Sequence, residues 1–126
     1  MTVKSYLDKS KIHGLGVFAG EKIPKGTLIW RFDPLIDKIV KKEDLTKLPE
    51  LNRKFVIHYS YLADDDYVLG GDNGMYMNHV SSPNTRGEYS ADGYGITLAA
   101  RDIEEGEEIT ADYSEFDDKF VEDSLK

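Results

Sequence analysis

The chain contains no cysteine among its 126 residues and only three histidines. The absence of cysteine excludes disulfides, thiolate zinc clusters and a cysteine nucleophile. With so few histidines a metal site would depend mainly on carboxylates, and we expect none. No apolar run approaches the roughly 20 residues that span a bilayer, and residues 1–5 lack the apolar segment of a signal peptide. We therefore expect a soluble, cytoplasmic protein with no membrane partner.

The charge is unbalanced towards acid, with 24 Asp and Glu against 16 Lys and Arg and a net charge of −8. Proteins that bind nucleic acids rely on basic patches to neutralise phosphates, so we expect no direct nucleic-acid partner. An acidic protein can instead attract a lysine-rich peptide through its electrostatic field. On charge alone, an acidic surface that keeps the protein in solution is the simpler interpretation. The length and the 40% hydrophobic content indicate one globular domain covering residues 1–126.

Glycine and proline recur along the chain and separate short β-prone runs, which is typical of a mainly-β domain of several small sheets. One segment differs, because Leu51, Phe55, Tyr59 and Leu62 recur at three- and four-residue spacing after Pro49. This spacing predicts one short amphipathic helix with Pro49 in its first turn. The predicted β-runs are 16–19, 27–32, 35–40, 67–69, 94–100 and 108–113.

Two polar motifs are weak signals when each is taken alone. Gly14, Leu15 and Gly16 form a tight turn before a β-run, and glycine lets a backbone approach a ligand closely. A strand-like run follows, so the dinucleotide-binding fingerprint is excluded and an ordinary hairpin turn is the simpler interpretation. Asn78 and His79 offer an amide and an imidazole. A polar turn with a histidine bonded to the backbone explains this pair more simply than a ligand site.

The third motif is an acidic turn around Gly106 between two predicted strands, the second of which ends at Tyr113. A hydrolase with paired carboxylates would need two of them to face each other across a cleft, roughly 5 to 9 Å apart. Carboxylates crowded in a turn are normally solvated, and we expect this state for the acidic residues of the turn. They are Glu104, Glu105, Glu107 and Glu108.

Taken together and in this order, the three motifs resemble the SET domain of protein-lysine methyltransferases. They are Gly-x-Gly-Val-Phe-Ala at 14–19, Asn-His-x-x-x-Pro-Asn at 78–84 and Gly-Glu-Glu-Ile-x-x-Asp-Tyr at 106–113. The resemblance covers about residues 11–113 and leaves 114–126 as a short C-terminal flank. It implies a mainly-β fold of the β-clip type, with several small twisted sheets, a C-terminal pseudoknot and one short inserted helix.

The resemblance also implies a cofactor, S-adenosylmethionine, and the residues that would hold it. The backbone around Gly14, Leu15 and Gly16 would cradle the methionine part of the cofactor. Asn78 would hydrogen-bond the cofactor, and the peptide groups of Asn78 and His79 would face its adenine. The implied activity is methyl transfer to a lysine of a basic protein or peptide, and a histone-like tail is one candidate substrate.

Two tyrosines take catalytic roles in the same comparison. Tyr113 matches the family's catalytic tyrosine, which also contacts the cofactor, and Tyr59 matches a tyrosine that lines the lysine channel. A tyrosine with an ordinary pKa of about 10 is protonated at neutral pH, so we expect Tyr113 to position the reactants and not to act as a base. An aromatic channel disfavours the charged form of the substrate lysine by desolvation, which prepares its amine for attack. The transfer needs no metal.

Some positions depart from the family pattern. Ala111 stands where many members carry a Phe or Tyr that limits the number of methyl groups, so it would open room in the channel unless Phe116 fills it. The zinc-binding flanks of many nuclear members are absent, so the channel wall would come from Phe116 and Phe120, from a partner chain or from the substrate. The short flank is compatible with a homodimer. In these respects the chain resembles the small stand-alone SET proteins of viruses and bacteria.

These departures keep a second hypothesis open, a catalytically inactive SET-fold module that binds the cofactor or a peptide. Cofactor binding without turnover would favour it. A purely structural β-clip domain is a third hypothesis, which the presence of Asn78, His79 and Tyr113 disfavours. For a viral protein or a secreted effector, the expected location is the host cell or its nucleus instead of the cytoplasm.

Overall fold

The computed structural model describes residues 1–118, and short strands dominate its regular structure. This confirms the mainly-β prediction. The strands are β1 (Ser5–Lys9), β2 (Leu15–Ala19), β3 (Leu28–Arg31), β4 (Lys38–Lys41), β5 (Ser60–Ala63), β6 (Asp66–Leu69), β7 (Asn78–His79), β8 (Thr85–Glu88), β9 (Ile96–Ala99) and β10 (Glu108–Ala111). The helices are α1 (Lys42–Leu45) and α2 (Glu50–Tyr59), with 3-10 helices at Asn73–Tyr76 and Tyr113–Glu115.

The strands of the described residues form three small sheets. The first sheet has the order β1-β2-β10-β7, the second β3-β9-β8 and the third β4-β6-β5. Strand β10 pairs antiparallel with β2 and parallel with β7, so a strand from the end of the chain lies between two earlier ones. This order brings the Gly-x-Gly segment, the Asn-His segment and the C-terminal motif side by side.

Two apolar clusters hold the sheets together. Burying one large aliphatic side chain contributes about 1.5 to 3 kcal/mol, so each cluster is a substantial source of stability. An isolated bridge between Ile23 and Ile103 adds backbone pairing inside the larger cluster. The larger cluster contains Val17, Ala19, Ile23, Ile29, Ala99, Ile103 and Ile109. The smaller cluster, which includes residues of α1 and α2, contains Val40, Leu45, Val56, Leu62 and Tyr67.

The predicted helix is present as α2, but the prediction of its buried face was wrong. The helix ends at Tyr59, and Leu62 lies in β5, where it packs in the smaller cluster. Leu51 is 80% exposed and Phe55 is 48% exposed, whereas Val56, which the spacing did not single out, is 7% exposed. The helix is only 10 residues long and meets the small third sheet through this one buried residue. Its apolar stripe is therefore left largely on the surface.

Other differences from the prediction are local. The described chain has two α-helices instead of one, and Pro49 precedes α2 as its N-cap instead of lying in its first turn. The run 35–40 begins as a turn, in which the N–H groups of Ile36 and Asp37 both donate to the carbonyl of Asp33, and the strand starts at Lys38. Four strands were not predicted: β1, β5, β7 and β8. Strand β1 is largely exposed, β7 has two residues and β8 carries a glycine, whereas β5 was missed because the spacing assigned Leu62 to the helix.

Candidate active site

A cavity of about 480 Å³ lies where the second and third sheets meet the segment that follows β10. Its volume falls within the range of about 300 to 1,000 Å³ that is typical of ligand pockets. Aromatic side chains form much of its wall, together with backbone at several glycines. The aromatic residues include Trp30, Tyr59, Tyr61, Tyr94, Tyr113 and Phe116.

Tyr113 reaches this cavity because a 3-10 helix turns the chain immediately after β10. Asp112 caps that helix, and its Oδ1 accepts the Ser114 N–H at 3.0 Å. The backbone N–H of Tyr113 donates to Nδ1 of His79 at 3.0 Å, and the Tyr113 hydroxyl donates to the carbonyl of Met77. The segment that carries the Asn-His motif therefore holds Tyr113 at both its backbone and its hydroxyl.

The Tyr113 hydroxyl is a weaker acid than an ordinary tyrosine hydroxyl, because its pKa is raised. Burial raises its pKa to about 12, and the negative charge of Asp117 adds to the effect. The hydroxyl consequently stays protonated at neutral pH and can donate a hydrogen bond. This state is compatible with a positioning role and incompatible with a general base at neutral pH.

A chain of edge-to-face ring contacts forms the wall beside Tyr113. The ring centroids of Tyr113 and Phe116 lie 5.8 Å apart, those of Phe116 and Tyr61 5.3 Å, and those of Tyr61 and Trp30 5.9 Å. The Tyr61 hydroxyl donates to the carbonyl of Tyr94 at 2.7 Å, and burial raises the pKa of Tyr61 above its ordinary value. Such a wall excludes water and suits an apolar alkyl chain.

Tyr59 reaches the same cavity from the C-terminal end of α2. The centroid of its ring lies 5.7 Å from that of Tyr76 and 4.9 Å from that of Phe55. The structure therefore brings Tyr59, Tyr113 and Phe116 to one cavity, although they lie far apart along the chain. Their catalytic and channel roles stay predictions.

Ala111 is not among the residues that line this cavity. It pairs with His79 in the ladder between β7 and β10 and is only 3% exposed. Its role in the channel stays a prediction. Phe116 does line the cavity, whereas Phe120, the other expected wall residue, lies outside the described residues.

The predicted cofactor residues gather around Asn78, next to Tyr113 and outside the lining of the cavity. The Asn78 Nδ2 donates to the backbone carbonyls of His13 and Leu15, each at 3.1 Å, and so ties the Gly-x-Gly turn to β7. Gly14 has a φ of +46°, and the space beside its Cα is open. Gly14 and Leu15 are exposed, so their backbone is accessible to a ligand, whereas Gly16 is buried.

Two carboxylates of the acidic turn are not merely solvated, which corrects the expectation from sequence. Glu107 accepts from Nη2 of Arg101 at 2.6 Å, and this partner holds the pKa of Glu107 below its ordinary value. Glu108 accepts from the hydroxyl of Ser10 at 2.8 Å and from Asn78 Nδ2 at 3.0 Å. No local sequence signal pointed to Glu108, because its partner Ser10 lies 98 positions earlier along the chain.

Two further carboxylates hold the segment after Tyr113 against the cavity walls. Glu115 accepts the N–H of Gly87 in β8, and Asp117 accepts the N–H of Leu62 in β5, each at 3.0 Å. From sequence, these acids counted towards the overall acidic charge. The structure gives Glu115 and Asp117 a second role, because they connect the C-terminal segment to two different sheets.

Residues 1–118 show neither a metal site nor a helix that could span a membrane. No group of three or more His, Cys, Asp or Glu side chains there is arranged to hold a metal ion. None of the helices in this part of the chain combines the length and the apolar character required to cross a membrane.

The small sheets, the central position of β10 and the cavity at Tyr113 are those of a SET domain. Residues 14–114 match the SET domain family, and the chain belongs to it. One similar protein is the histone-lysine N-methyltransferase trr of Drosophila melanogaster, 34% identical over 115 residues and 86% of this chain. Another is human histone-lysine N-methyltransferase 2D, 30% identical over 125 residues and 90% of this chain. The chain spans only 5% and 2%, respectively, of the lengths of these two relatives.

Solved structures resemble the fold over nearly the whole chain. A Plasmodium falciparum protein described as a candidate histone methyltransferase has a TM-score of 0.65 and 25% identity, over 90% of this chain and 95% of its own. Polycomb Repressive Complex 2 of Chaetomium thermophilum, bound to S-adenosylmethionine, has a TM-score of 0.70 over 99% of this chain and 17% of its own. At 20% identity, the second likeness shows the fold alone.

Proposed function

We propose that this chain is an S-adenosylmethionine-dependent protein-lysine N-methyltransferase that acts on a basic protein or peptide, such as a histone-like tail. The observation that carries the proposal is the position of Tyr113, the motif tyrosine, in an aromatic cavity with its hydroxyl on the Met77 carbonyl. Membership of the SET family supports it, as do relatives that are named as histone-lysine methyltransferases.

The residues around Asn78 fit the proposed cofactor. The turn at Gly14 offers accessible backbone, and the adjacent aromatic rings suit a cationic sulfur. In the proposed complex, Gly14, Leu15 and Gly16 hold the methionine part, while Asn78 and His79 face the adenine. When bound, S-adenosylmethionine supplies a methyl group on that sulfur, which an amine can attack in line.

The aromatic walls of the cavity lower the pKa of the substrate lysine. A free lysine has a pKa of about 10.4, so its amine must lose a proton before it can attack. Tyr59, Tyr61 and Phe116 desolvate the ammonium form and so lower the pKa of a lysine that enters. The proton leaves to water at the mouth of the channel.

Tyr113 acts in this scheme by alignment. Because its hydroxyl stays protonated and donates to Met77, the tyrosine fixes the carbonyl and the ring beside which the reacting groups meet. Alignment of reactants lowers a barrier by several kcal/mol without any covalent intermediate. Tyr113 is therefore the residue whose hydroxyl the reaction needs most.

The charges near the cavity favour a basic substrate. Among the described residues that line it, four are carboxylates and none is a lysine or an arginine. The net charge of −8 adds a long-range attraction for lysine-rich chains. The carboxylates are Glu88, Glu115, Asp117 and Asp118.

The Tyr113→Phe variant tests the proposal, because it removes the hydroxyl and keeps the ring. We expect transfer of labelled methyl to a panel of core histones to fall at least about 100-fold, with S-adenosylmethionine binding by calorimetry nearly unchanged. Tyr6→Phe is the matched control, since Tyr6 stacks on Phe18 in the first sheet with ring centroids 5.6 Å apart, away from the cavity. Full activity in Tyr113→Phe would refute the role of the hydroxyl.

The same assay separates the proposal from the alternative of a binding module. The wild-type protein should both bind S-adenosylmethionine and label a lysine. Cofactor binding without transfer to any lysine-rich protein would support a catalytically inactive module instead.

A further inference from the structure

Glu108 lies where three segments of the first sheet meet. It is the first residue of β10 and pairs with Phe18 of β2. Both of its carboxylate oxygens accept from the Ser10 hydroxyl, at 2.8 and 3.0 Å, and Oε2 also accepts from Asn78 Nδ2 at 3.0 Å. One carboxylate thus joins the start of the Gly-x-Gly turn to the Asn-His strand.

Ser10 links Glu108 to the backbone of the turn. Its hydroxyl oxygen accepts the backbone N–H of Ile12 at 2.9 Å and that of His13 at 3.4 Å, while the Ser10 N–H closes the turn on the Gly14 carbonyl at 2.8 Å. A hydroxyl has two lone pairs and one proton. Because both lone pairs are engaged by the turn, Ser10 must donate its proton, and Glu108 supplies the acceptor.

Glu108 also fixes the orientation of the Asn78 side chain. The Nδ2 of Asn78 faces three acceptors, namely Glu108 and the carbonyls of His13 and Leu15. An amide nitrogen can only donate and an amide oxygen can only accept, so these partners fix which end of the side chain faces the turn. Nδ2 of Asn78 is thereby the end that faces the turn, and Oδ1 faces away from these three acceptors.

The glycine at position 16 makes room for this carboxylate. A Cβ at that position would lie 2.5 Å from Oε2 of Glu108 and 3.1 Å from Cβ of Ser10. Any side chain at position 16 would therefore displace Glu108 from Ser10 and Asn78. The second glycine of the motif and Glu108, 92 positions later, form one packing unit.

We propose that Glu108 is the positioning residue of the cofactor-binding turn, holding Ser10 and Asn78 so that the backbone of residues 12–16 is preformed for the ligand. The proposal rests on the proposed function for the identity of that ligand. Glu108 acts through its two partners and does not itself touch the cofactor. A preformed turn avoids the loss of affinity that arises when the binding-competent state is only partly populated.

The Glu108→Gln variant replaces one carboxylate oxygen with an NH₂ group. The remaining oxygen can take the place of Oε2 and accept from both partners, but the NH₂ group then takes the place of Oε1, where it faces a Ser10 hydroxyl whose lone pairs are both engaged. In cofactor-free protein studied by NMR, we expect amide hydrogen exchange at Ile12 and His13, and at the Asn78 side chain, to accelerate at least about tenfold. Glu105→Gln is the matched control, since it removes the same charge from an exposed carboxylate of the same turn.

A second variant keeps the test informative if Glu108→Gln fails to fold. Ser10→Ala removes only the hydroxyl that links Glu108 to the turn. Exchange should then accelerate at Ile12 and His13 and stay at the wild-type rate at the Asn78 side chain, which retains Glu108. Wild-type rates at Ile12 and His13 in folded Glu108→Gln or in Ser10→Ala would overturn the proposal.

Binding supplies a readout that a merely structural role would not move. We expect the Kd and the KM for S-adenosylmethionine to rise about tenfold in Glu108→Gln, with kcat at saturating cofactor changed less than about threefold. An unchanged Kd with a lower melting temperature would overturn the positioning role. If the wild type binds no S-adenosylmethionine, the proposed function fails, whereas the exchange rates of the free protein still decide the role of Glu108.

Discussion

The protonation state of Tyr113 limits what this single residue can do. Its hydroxyl lies against the Met77 carbonyl inside the protein, and its pKa is raised to about 12 by burial and by Asp117. A protonated phenol can donate to a carbonyl, but it cannot take a proton from a substrate lysine at neutral pH. The hydroxyl is accordingly a fixed dipole and not a proton acceptor.

The raised pKa of Tyr113 predicts a pH dependence of stability. Below about pH 10, the ordinary pKa of tyrosine, the hydroxyl is protonated in both states and its contribution is fully present. As pH rises towards 12, the unfolded state ionises first, so the free energy of unfolding falls. Relative to Tyr113→Phe, the wild type should lose about 1.4 kcal/mol by pH 11 in urea titrations. A difference that stays constant from pH 8 to about 11 would contradict the raised pKa.

The sequence motifs could predict which residues come together, whereas the roles of these residues stay predictions. Tyr113 and Asn78 are examples, and the structure places Tyr113 in the cavity and Asn78 at the turn. The contacts of Glu108 could not be predicted, because its partner Ser10 lies 98 positions away along the chain. The burial of Ala111 could not be predicted either, because it follows from the pairing of Ala111 with His79 in the ladder between β7 and β10.

At the scale of elements, α2 shows how far hydrophobic spacing can be trusted. The spacing predicted that a helix exists, because apolar residues three and four apart share one face. It could not predict which face is buried, because that depends on the neighbouring sheet. Val56 meets the smaller cluster, whereas Leu51 projects from the opposite side into solvent.

Two truncations on α2 test this assignment. Val56→Ala should lower the free energy of unfolding by about 1 to 3 kcal/mol, because it empties space beside Leu45 and Leu62. Leu51→Ala should change it by less than about 0.5 kcal/mol, since that side chain is mostly exposed. Urea unfolding followed by fluorescence would measure both. A larger loss for Leu51→Ala than for Val56→Ala would contradict the packing described.

Strand β7 illustrates an element that sequence alone could not supply. It has only two residues, Asn78 and His79, and its parallel pairing partner is β10, some 30 positions later. Local propensity carries little weight for so short a strand. Its existence follows from the placement of β10, and the resemblance to SET domains indicated that meeting where periodicity did not.

In the molecule as a whole, the strand order brings Tyr113 and several carboxylates to one cavity. The placement of β10 between β2 and β7 brings Tyr113 to the Asn-His segment, and the carboxylates of the following segment join it to two further sheets. Such non-local pairing is set by tertiary structure, which composition and periodicity do not encode directly. The acidic balance, by contrast, could be read directly from the sequence.

The acidic balance predicts that transfer to a basic substrate depends on salt. The net charge of −8 and the carboxylates at the cavity should draw in a lysine-rich peptide, and added salt screens that attraction. We expect kcat/KM to fall severalfold as salt rises. A peptide with its flanking basic residues changed to glutamine is the control and should show a shallower dependence. Equal salt dependence for the two peptides would argue against electrostatic steering.

The main proposal is that the protein transfers a methyl group from S-adenosylmethionine to a lysine bound in the cavity at Tyr113. The most direct measurement is mass spectrometry of a lysine-rich histone-tail peptide after incubation with the wild-type protein and S-adenosylmethionine, with Tyr113→Phe in parallel. We expect methyl groups on lysine side chains in the wild-type reaction and almost none with the variant. Equal methylation by both proteins, or an unmodified peptide panel despite measured cofactor binding, would contradict this proposal.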